Sequence, residues 1–452
     1  MSPTSIPLLR HESPDAIVAF REGRPIAAGA FLAAAADLGR SLPAARHVLN
    51  VCRDRYQFTV GLAACLMTGR ISLLPSTHTP EVIRRLVDFA PDVLCLTDEP
   101  DCNLSLPRHL FRRAPQAVSR SWDVPHIPAD QIAAIVFTSG STGLPLPYAK
   151  TWGKLARCIR DGAPRLGVFG GEPLTLVGTV PAQHMYGFES TVLLALQSGG
   201  AFAAERPFYP VDITAAIAGL PRPRALVSTP LHLRALLAAG LTIPALDLIV
   251  SATAPLTAEL ATEIERESGA PVLEIYGSTE TGQIATRRTA GSRAWQLWPD
   301  VRLTARDGQV FAHGGHVEQS TPLCDLIEIL DDRSFHLLGR TADLVNVAGK
   351  RSSLAYLTAQ LIAIPGVVDG AFFVPVSDPA AAADVIRVAA AVVAPELGAA
   401  QLMAQLRQRI DPAFLPRPLL LVDALPRNAT GKLPQLALQT LAARRAANSG
   451  AP

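Results

Sequence analysis

Four short segments hold residues whose types and spacing could handle a nucleotide phosphate. The first is FTSGSTGLP (137–145), which follows an apolar run read as a buried strand. Its small residues Thr138, Ser139, Gly140, Ser141, Thr142 and Gly143 let backbone N–H groups turn toward phosphate oxygens, and their hydroxyls add donors. It is not a Walker loop, because GxxxxGK[ST] is absent, and taken alone an ordinary Ser/Gly-rich loop is the competing reading. EIYGSTETG (274–282) repeats the arrangement with Tyr276, Gly277, Ser278 and Thr279, and offers Glu280 to a cation. LLGRTADLVNVAGKR (337–351) carries Arg340, and LPRNATGKL (425–433) sets Lys432 in a Gly-flanked loop. By itself Lys432 reads as a solvated lysine, and Asp325 with Arg340 as a structural pair.

The elements around these segments set their positions. Over the first 300 residues β-rich runs alternate with helical apolar spacing. The strand candidates are ISLLP (71–75), VLCLT (93–97), LTLVGTV (174–180), ALVST (225–229), LDLIVSA (246–252) and PVLEIYG (271–277). Helical patterns lie between them, and Thr79-Pro80-Glu81 has the form of an N-cap, a first-turn proline and an acid beside the helix dipole. This alternation predicts an α/β protein with largely parallel, doubly covered sheets, whose functional residues gather in loops at the carboxyl ends of strands. After about residue 295 short β segments with Asp-Gly turns take over. From residue 339 a separate small α+β unit is expected, ending in a frayed ARRAANSGAP. The predicted division is a large domain over 1–338 and a small one over 339–452.

Composition narrows the function classes. Lys+Arg 41 against Asp+Glu 39 leaves a net charge of +2, without the basic excess of a nucleic-acid or membrane-surface protein. Apolar residues at 49% and charged ones at 18% suit a large packed core. No apolar stretch approaches the roughly 20 residues of a membrane span. MSPTSIPLLRHESPD lacks a signal-peptide pattern, so a cytoplasmic protein is expected. Six cysteines without a CxxC pair predict buried, reduced thiols.

In their order and separations, the four segments resemble the adenylate-forming superfamily of acyl-CoA synthetases, peptide-synthetase adenylation domains and firefly luciferase. The resemblance covers about 130 to 440 and implies a large α/β lobe with a small mobile lid. It also implies the activity: a carboxylate reacts with MgATP to give an acyl-AMP and pyrophosphate, and the acyl group then passes to a thiol of CoA or of the phosphopantetheine on an acyl carrier protein. On this resemblance Thr138 to Gly143 form the phosphate loop and Ala252, Thr253 and Ala254 of SATAPL lie beside the adenine. Tyr276 stacks on that base, with Gly277 and Ser278 adjoining the nucleotide. Thr279 meets the α-phosphate, Glu280 holds magnesium, Asp325 and Arg340 bind the ribose, and Lys432 reaches in from the lid. VPAQHMYGF (180–188) is similar to the family's Pro-x-x-His-x-x-Gly segment, which places His184, Tyr186, Gly187 and Gly277 at the acyl pocket. A lone histidine is more often a satisfied core residue. His-Met-Tyr resembles hydroxycinnamate ligases, whereas Trp295 and Trp298 are expected to pack.

Three departures qualify the pattern. Leu146 stands where the family has a phosphate-loop lysine, and Lys150 is the nearest substitute that could reach the leaving pyrophosphate. Ala342 stands at the usual hinge position, followed by Asp343. The usual Thr-Gly-Asp is Leu-Cys-Asp at 323–325. The implied lid rotation would present Gly349, Lys350 and Arg351 for thioester formation. The compact length and the loop TSGSTGLPLPYAKTW resemble the AMP-ligases of bacterial aryl-polyene pigment pathways. The expected substrate is an aryl or hydroxycinnamate-type acid. A medium-chain fatty acyl-CoA synthetase and a non-catalytic adenylate-binding scaffold are the alternatives.

Overall fold

The computed structural model describes residues 4–75, 77–111, 122–139, 145–168, 172–340, 344–347, 350–375, 387–428 and 433–449. Two sheets build most of it. A six-stranded sheet runs in the order Pro145–Thr151, Ile132–Ser139, Ile71–Leu74, His47–Asn50, Leu94–Thr97, Arg108–Leu110. An eleven-stranded sheet runs from Asp325–Ile329 through Ser334–Arg340, Trp295–Leu297, Gly282–Arg288, Val272–Ser278, Leu248–Ser251, Arg224–Ser228, Thr175–Gly178, Ala201–Ala203 and Ile17–Arg21 to Arg24–Ala27.

The centres of both sheets are parallel, as the alternation predicts, and their strands are buried on both faces. Most of their margins are antiparallel. Hairpins form outer edges at Ile132–Ser139 with Pro145–Thr151 and at Ile17–Arg21 with Arg24–Ala27, and the hairpin of Val272–Ser278 with Gly282–Arg288 begins an antiparallel flank of the large sheet. Short connections make these pairings geometrically accessible, whereas a parallel return needs a crossover of a dozen or more residues. Pro145 and Pro147 are tolerated because their strand is the edge of its sheet.

Helix starts follow local chemistry. Thr79 Oγ1 accepts the Val82 N–H of helix Pro80–Phe89, and Thr257 caps Ala258–Ser268 in the same way. Helix Arg55–Met67 is capped by Asp54, which accepts from Gln57 N–H at 2.9 Å. Of its 13 residues all but Met67 are buried, so it acts as a central pillar and not as a surface helix. Arg55 is wholly enclosed at its base. Nη1 donates to the carbonyls of Ala203 (2.7 Å) and Glu205 (2.8 Å), and Nη2 to those of Gly178 (2.8 Å) and Val180 (3.1 Å). Burial lowers the guanidinium to about 10, which leaves it charged at neutral pH.

A three-stranded antiparallel sheet, Arg302–Arg306, Gln309–Gly314 and Val317–Pro322, forms the expected β unit; its Asp307-Gly308 turn has φ of 49° and 75°. Beyond it the strand Ser334–Arg340 stays paired with Asp325–Ile329, so the large sheet extends past residue 338. The small unit then has the hairpin Leu344–Val347 with Lys350–Ser353, helix Leu354–Ile362, a sheet of Asp369–Phe373, Ala389–Val393 and Leu419–Leu421, and helices Ala399–Arg407 and Gln435–Ser449. Its apolar clusters draw only on its own residues. Helix Gln435–Ser449 takes in most of the tail expected to fray.

Trp295 and Trp298 pack as expected, 3% and 1% exposed. All six cysteines are free thiols, and Cys52, Cys65, Cys95 and Cys158 are buried as expected; Cys102 departs by being half-buried, and Cys324 by being exposed in the loop before Asp325. Among the described residues no helix is long and apolar enough to cross a membrane.

Candidate active site

The loops after four adjacent parallel strands, Thr175–Gly178, Arg224–Ser228, Leu248–Ser251 and Val272–Ser278, open at one edge of the large sheet. The sharpest is the turn joining Val272–Ser278 to Gly282–Arg288. Ser278 N–H donates to Thr281 Oγ1 (3.1 Å), Thr281 N–H donates to Ser278 Oγ (3.2 Å), and Thr281 Oγ1–H donates to the Gly282 carbonyl (2.8 Å). These bonds consume the polar atoms of Ser278 and Thr281 and leave Thr279 and Glu280, both half-buried, at the tip. Thr281 was legible only as a second hydroxyl three residues after Ser278, a spacing suited to mutual side-chain-to-backbone bonding. Gly277 has no room for a side chain: a Cβ there would sit 2.2 Å from the Gly282 carbonyl oxygen and 2.8 Å from Gln283 Cα. Gly277→Ala is therefore expected to spread the turn with about 1–3 kcal/mol of lost stability, measured by urea unfolding.

Tyr276 and Asp325 meet directly. The Tyr276 O–H donates to Asp325 Oδ2 at 2.6 Å, although 48 residues separate them in the chain. The Tyr276 ring packs on Trp295 and Phe335, with centroids 5.6 and 5.4 Å away, and Trp295 stacks on Phe335. The aromatic cluster thus fixes the tyrosine, and the tyrosine aims the carboxylate. Arg340 is placed by its backbone alone, opposite Asp325 in the strand register. Removing the phenol hydroxyl takes away a hydrogen bond to a charged group, worth about 1.5–3 kcal/mol. Tyr276→Phe is expected to raise the KM for ATP about tenfold with little change in kcat, which steady-state kinetics will read.

In the neighbouring loop Thr253 adopts φ 79°, a left-handed conformation that β-branched residues avoid. It sits between Ala252 and Ala254 immediately after Leu248–Ser251, and such outliers cluster at ligand clamps. The Pro-x-x-His-x-x-Gly spacing has a steric cause: a Cβ on Gly187 would lie 2.1 Å from the Pro181 carbonyl oxygen. His184, half-buried, caps the short turn and accepts from Tyr186 N–H at 3.4 Å. Tyr186 is buried, and its O–H donates to the carbonyls of Ser228 (3.0 Å) and Val250 (2.9 Å). Burial raises its phenol well above the usual range. Its hydroxyl ties two strands together, so only its ring is available to an acyl pocket.

Beneath the turn lies a buried polar cluster. Lys150 is 6% exposed, and its Nζ donates to the Glu280 carbonyl at 2.9 Å. The sequence reading gave this lysine a flexible reach toward pyrophosphate; the structure gives its ammonium a backbone partner inside the protein. Burial lowers its pKa, and the carboxylate of Glu189 is the leading opposing influence. Glu189 is itself enclosed, pushed up to about 7 by burial and held back chiefly by Lys150. The Cys158 thiol donates to Glu189 Oε1 at 3.6 Å, and Gln283 Nε2 donates to Ser190 Oγ at 2.8 Å. Burial and the nearby cations Lys150 and Arg157 lower His316 to about 4. Glu189 carried no signal in the sequence, where it reads as a helix acid.

Gly140, Ser141, Thr142, Gly143, Ala342, Asp343, Gly349 and Lys432 lie outside the described residues. Thr138, Ser139, Lys350 and Arg351 are placed by their backbones, the first two leading into segment 140–144 and the others in the hairpin of the small unit.

The donor set fits a magnesium nucleotide. Gly277 keeps a strand backbone bare, Thr279 supplies a hydroxyl, Asp325 a carboxylate aimed by Tyr276, and Glu280 a hard oxygen ligand. Among the described residues there is no group of three or more His, Cys, Asp or Glu that could hold a metal. Magnesium would thus be held by Glu280 together with nucleotide phosphates, its usual manner, and not by an all-protein cage.

Comparison with known proteins agrees with this geometry. The chain is 31% identical over 234 residues to a 4-coumarate–CoA ligase of Rhodobacter capsulatus, covering 52% of this chain and 58% of that one. It is 28% identical over 252 residues to a 4-coumarate–CoA ligase of Halorhodospira halophila, covering 54% and 61%. It therefore matches about three fifths of the length of these relatives. Its fold is similar to that of ATP-bound MatB from Rhodopseudomonas palustris, with a TM-score of 0.79 at 21% identity over 96% of this chain and 97% of that one. The family profile described as AMP-binding enzyme matches residues 12–332, a span that takes in every large-sheet loop of the site, and the chain belongs to the AMP-binding enzyme family.

Proposed function

We propose that this protein is an AMP-forming acid–thiol ligase that activates an aryl or hydroxycinnamate-type acid. The observation that carries the reading is the Tyr276–Asp325 contact, which brings the Asp325 carboxylate beside the end of the strand whose turn presents Thr279 and Glu280. The carboxylate oxygen of the acid attacks the α-phosphorus of ATP, the bond to the bridging oxygen breaks, and pyrophosphate leaves with its electron pair. Thr279 orients the α-phosphate, and Lys432 neutralises charge as the two anions approach. Glu280 would hold a magnesium ion, which when bound would neutralise further charge on the phosphate oxygens. Asp325, aimed by Tyr276, holds the ribose with Arg340, while the loop Ala252–Thr253–Ala254 borders the base.

In the second half-reaction a thiolate attacks the acyl carbon and AMP leaves. The lid after about residue 339, turning near Ala342 and Asp343, presents Gly349, Lys350 and Arg351 to that step. CoA or the phosphopantetheine of an acyl carrier protein is the acceptor, and the reaction belongs in the cytoplasm. The acid class is supported by the names of the 31% and 28% identical relatives and by His184 and Tyr186 beside Gly187. The loop TSGSTGLPLPYAKTW supports a place in aryl-polyene biosynthesis. ATP–pyrophosphate exchange with 4-hydroxybenzoate, 4-coumarate, cinnamate, octanoate and acetate tests the reading. Exchange with the aromatic acids is expected; octanoate as the preferred acid would replace it with a medium-chain fatty acyl ligase. Tight ATP binding without exchange would mark a scaffold.

A further inference from the structure

The buried lysine beneath the phosphate turn has a task that the sequence pattern does not assign. Burying an ammonium is costly unless it is paired and hydrogen-bonded, and a methionine of similar volume would fill the space at lower cost. Lys150 is nevertheless enclosed, with its Nζ on the carbonyl of Glu280, the residue at the tip of the turn. The other leg of that turn rests on the same cluster. A Cβ on Gly282 would lie 3.1 Å from Glu189 Oε1 and 3.3 Å from Cys158 Sγ. Both ends of the segment 280–282 therefore bear on one buried group of side chains. Leu146, at the position of the missing phosphate-loop lysine, is 50% exposed and points to no such role.

We propose that Lys150 and Glu189 are positioning residues: Lys150 Nζ anchors the Glu280 carbonyl at one end of the segment, Glu189 closes against Gly282 at the other, and together they fix the turn that presents Thr279 and Glu280. This rests on the ligase reading above. The pair acts on the nucleotide through the turn and does not touch it. A displacement of about 1 Å at such a site costs about a hundredfold in rate.

The test uses Lys150→Met, Glu189→Gln and the double variant, in pyrophosphate exchange and in calorimetric binding of ATP across magnesium concentrations. Each single variant is expected to lower kcat about ten- to a hundredfold while the KM for ATP stays within about threefold. The double variant is expected to fall no further than the worse single, because both act through one turn. The magnesium needed for half-maximal ATP binding is expected to rise about tenfold. Lys150→Gln, which keeps a donor for the Glu280 carbonyl, is expected to retain more of the rate and guards against a misfolded methionine variant. A rise in KM for ATP with unchanged kcat would overturn the proposal in favour of direct phosphate contact, and losses that multiply in the double variant would overturn their joint action on one turn. Absence of ATP binding by the unaltered protein would sink the ligase reading; normal binding with an unchanged magnesium requirement in Lys150→Met would sink the positioning role alone.

Discussion

Replacing Lys432 with alanine is expected to slow acyl-adenylate formation by about a hundred- to a thousandfold, the loss usual for one preorganised charge at a developing anion. The carboxylate and the α-phosphate repel as they approach, and the large lobe sets only hydroxyls and acids at the tip of its phosphate turn. On the ligase reading Lys432 brings a cation to them. Residues 429–432 lie outside the described structure, but what precedes them is firmly held. Arg427 donates from Nε and Nη2 to the two oxygens of Asp369, each at 2.7 Å. Asp369 also lies 3.8 Å from Arg234 of the large lobe, whose Nη1 donates to the Val368 carbonyl at 3.3 Å. The segment leading to Lys432 is therefore anchored at the contact between lid and large lobe. The discriminating measurement compares the half-reactions: exchange should collapse while thioester formation from preformed acyl-AMP stays within a few-fold. Equal loss in both would assign the lysine to general nucleotide binding.

Arg55→Met is expected to lower the stability of the fold by about 3–5 kcal/mol. The side chain would fit, but the carbonyls of Gly178, Val180, Ala203 and Glu205 would lose their shared donor within the protein. Each buried acceptor left without a partner costs about 1–3 kcal/mol. These carbonyls lie at or just beyond the ends of Thr175–Gly178 and Ala201–Ala203, so Arg55 clamps the pillar helix to the strand ends beside the HMYG segment. Urea unfolding followed by tryptophan fluorescence checks the loss in the first transition. An unchanged midpoint would mean that water replaces the guanidinium.

Much of this was legible in the sequence, for identifiable reasons. The parallel strands announce themselves as apolar runs because both faces are buried, and Thr79 marks a helix start because its hydroxyl has local work. The turn at 277–282 and the HMYG segment were legible because close backbone approach demands glycine at 277 and 187. What escaped depends on partners remote in the chain. Arg55 reads as a surface residue until its acceptors, more than 120 positions away, close around it. Lys150 reads as a reaching side chain because nothing local shows that Glu280 will lie above it. The hairpin leg Pro145–Thr151 reads as loop because of its prolines, and only an edge position makes it a strand. The nucleotide-facing layer was thus visible and the layer that stiffens it was not.

The eleven-stranded sheet has a consequence for how the chain is made. Its strand Ile17–Arg21 emerges first, yet its parallel neighbour is Ala201–Ala203, with Ala19 opposite Phe202. At about 5–20 residues per second the ribosome needs roughly ten to forty seconds to supply that neighbour. Through that interval Val18 and Ala19, both fully buried in the finished sheet, have only the next helix, Ala28–Ser41, to pack against. The outer edge of Ile17–Arg21 therefore stays without its parallel partner long after every strand of the six-stranded sheet, complete by Thr151, has been made.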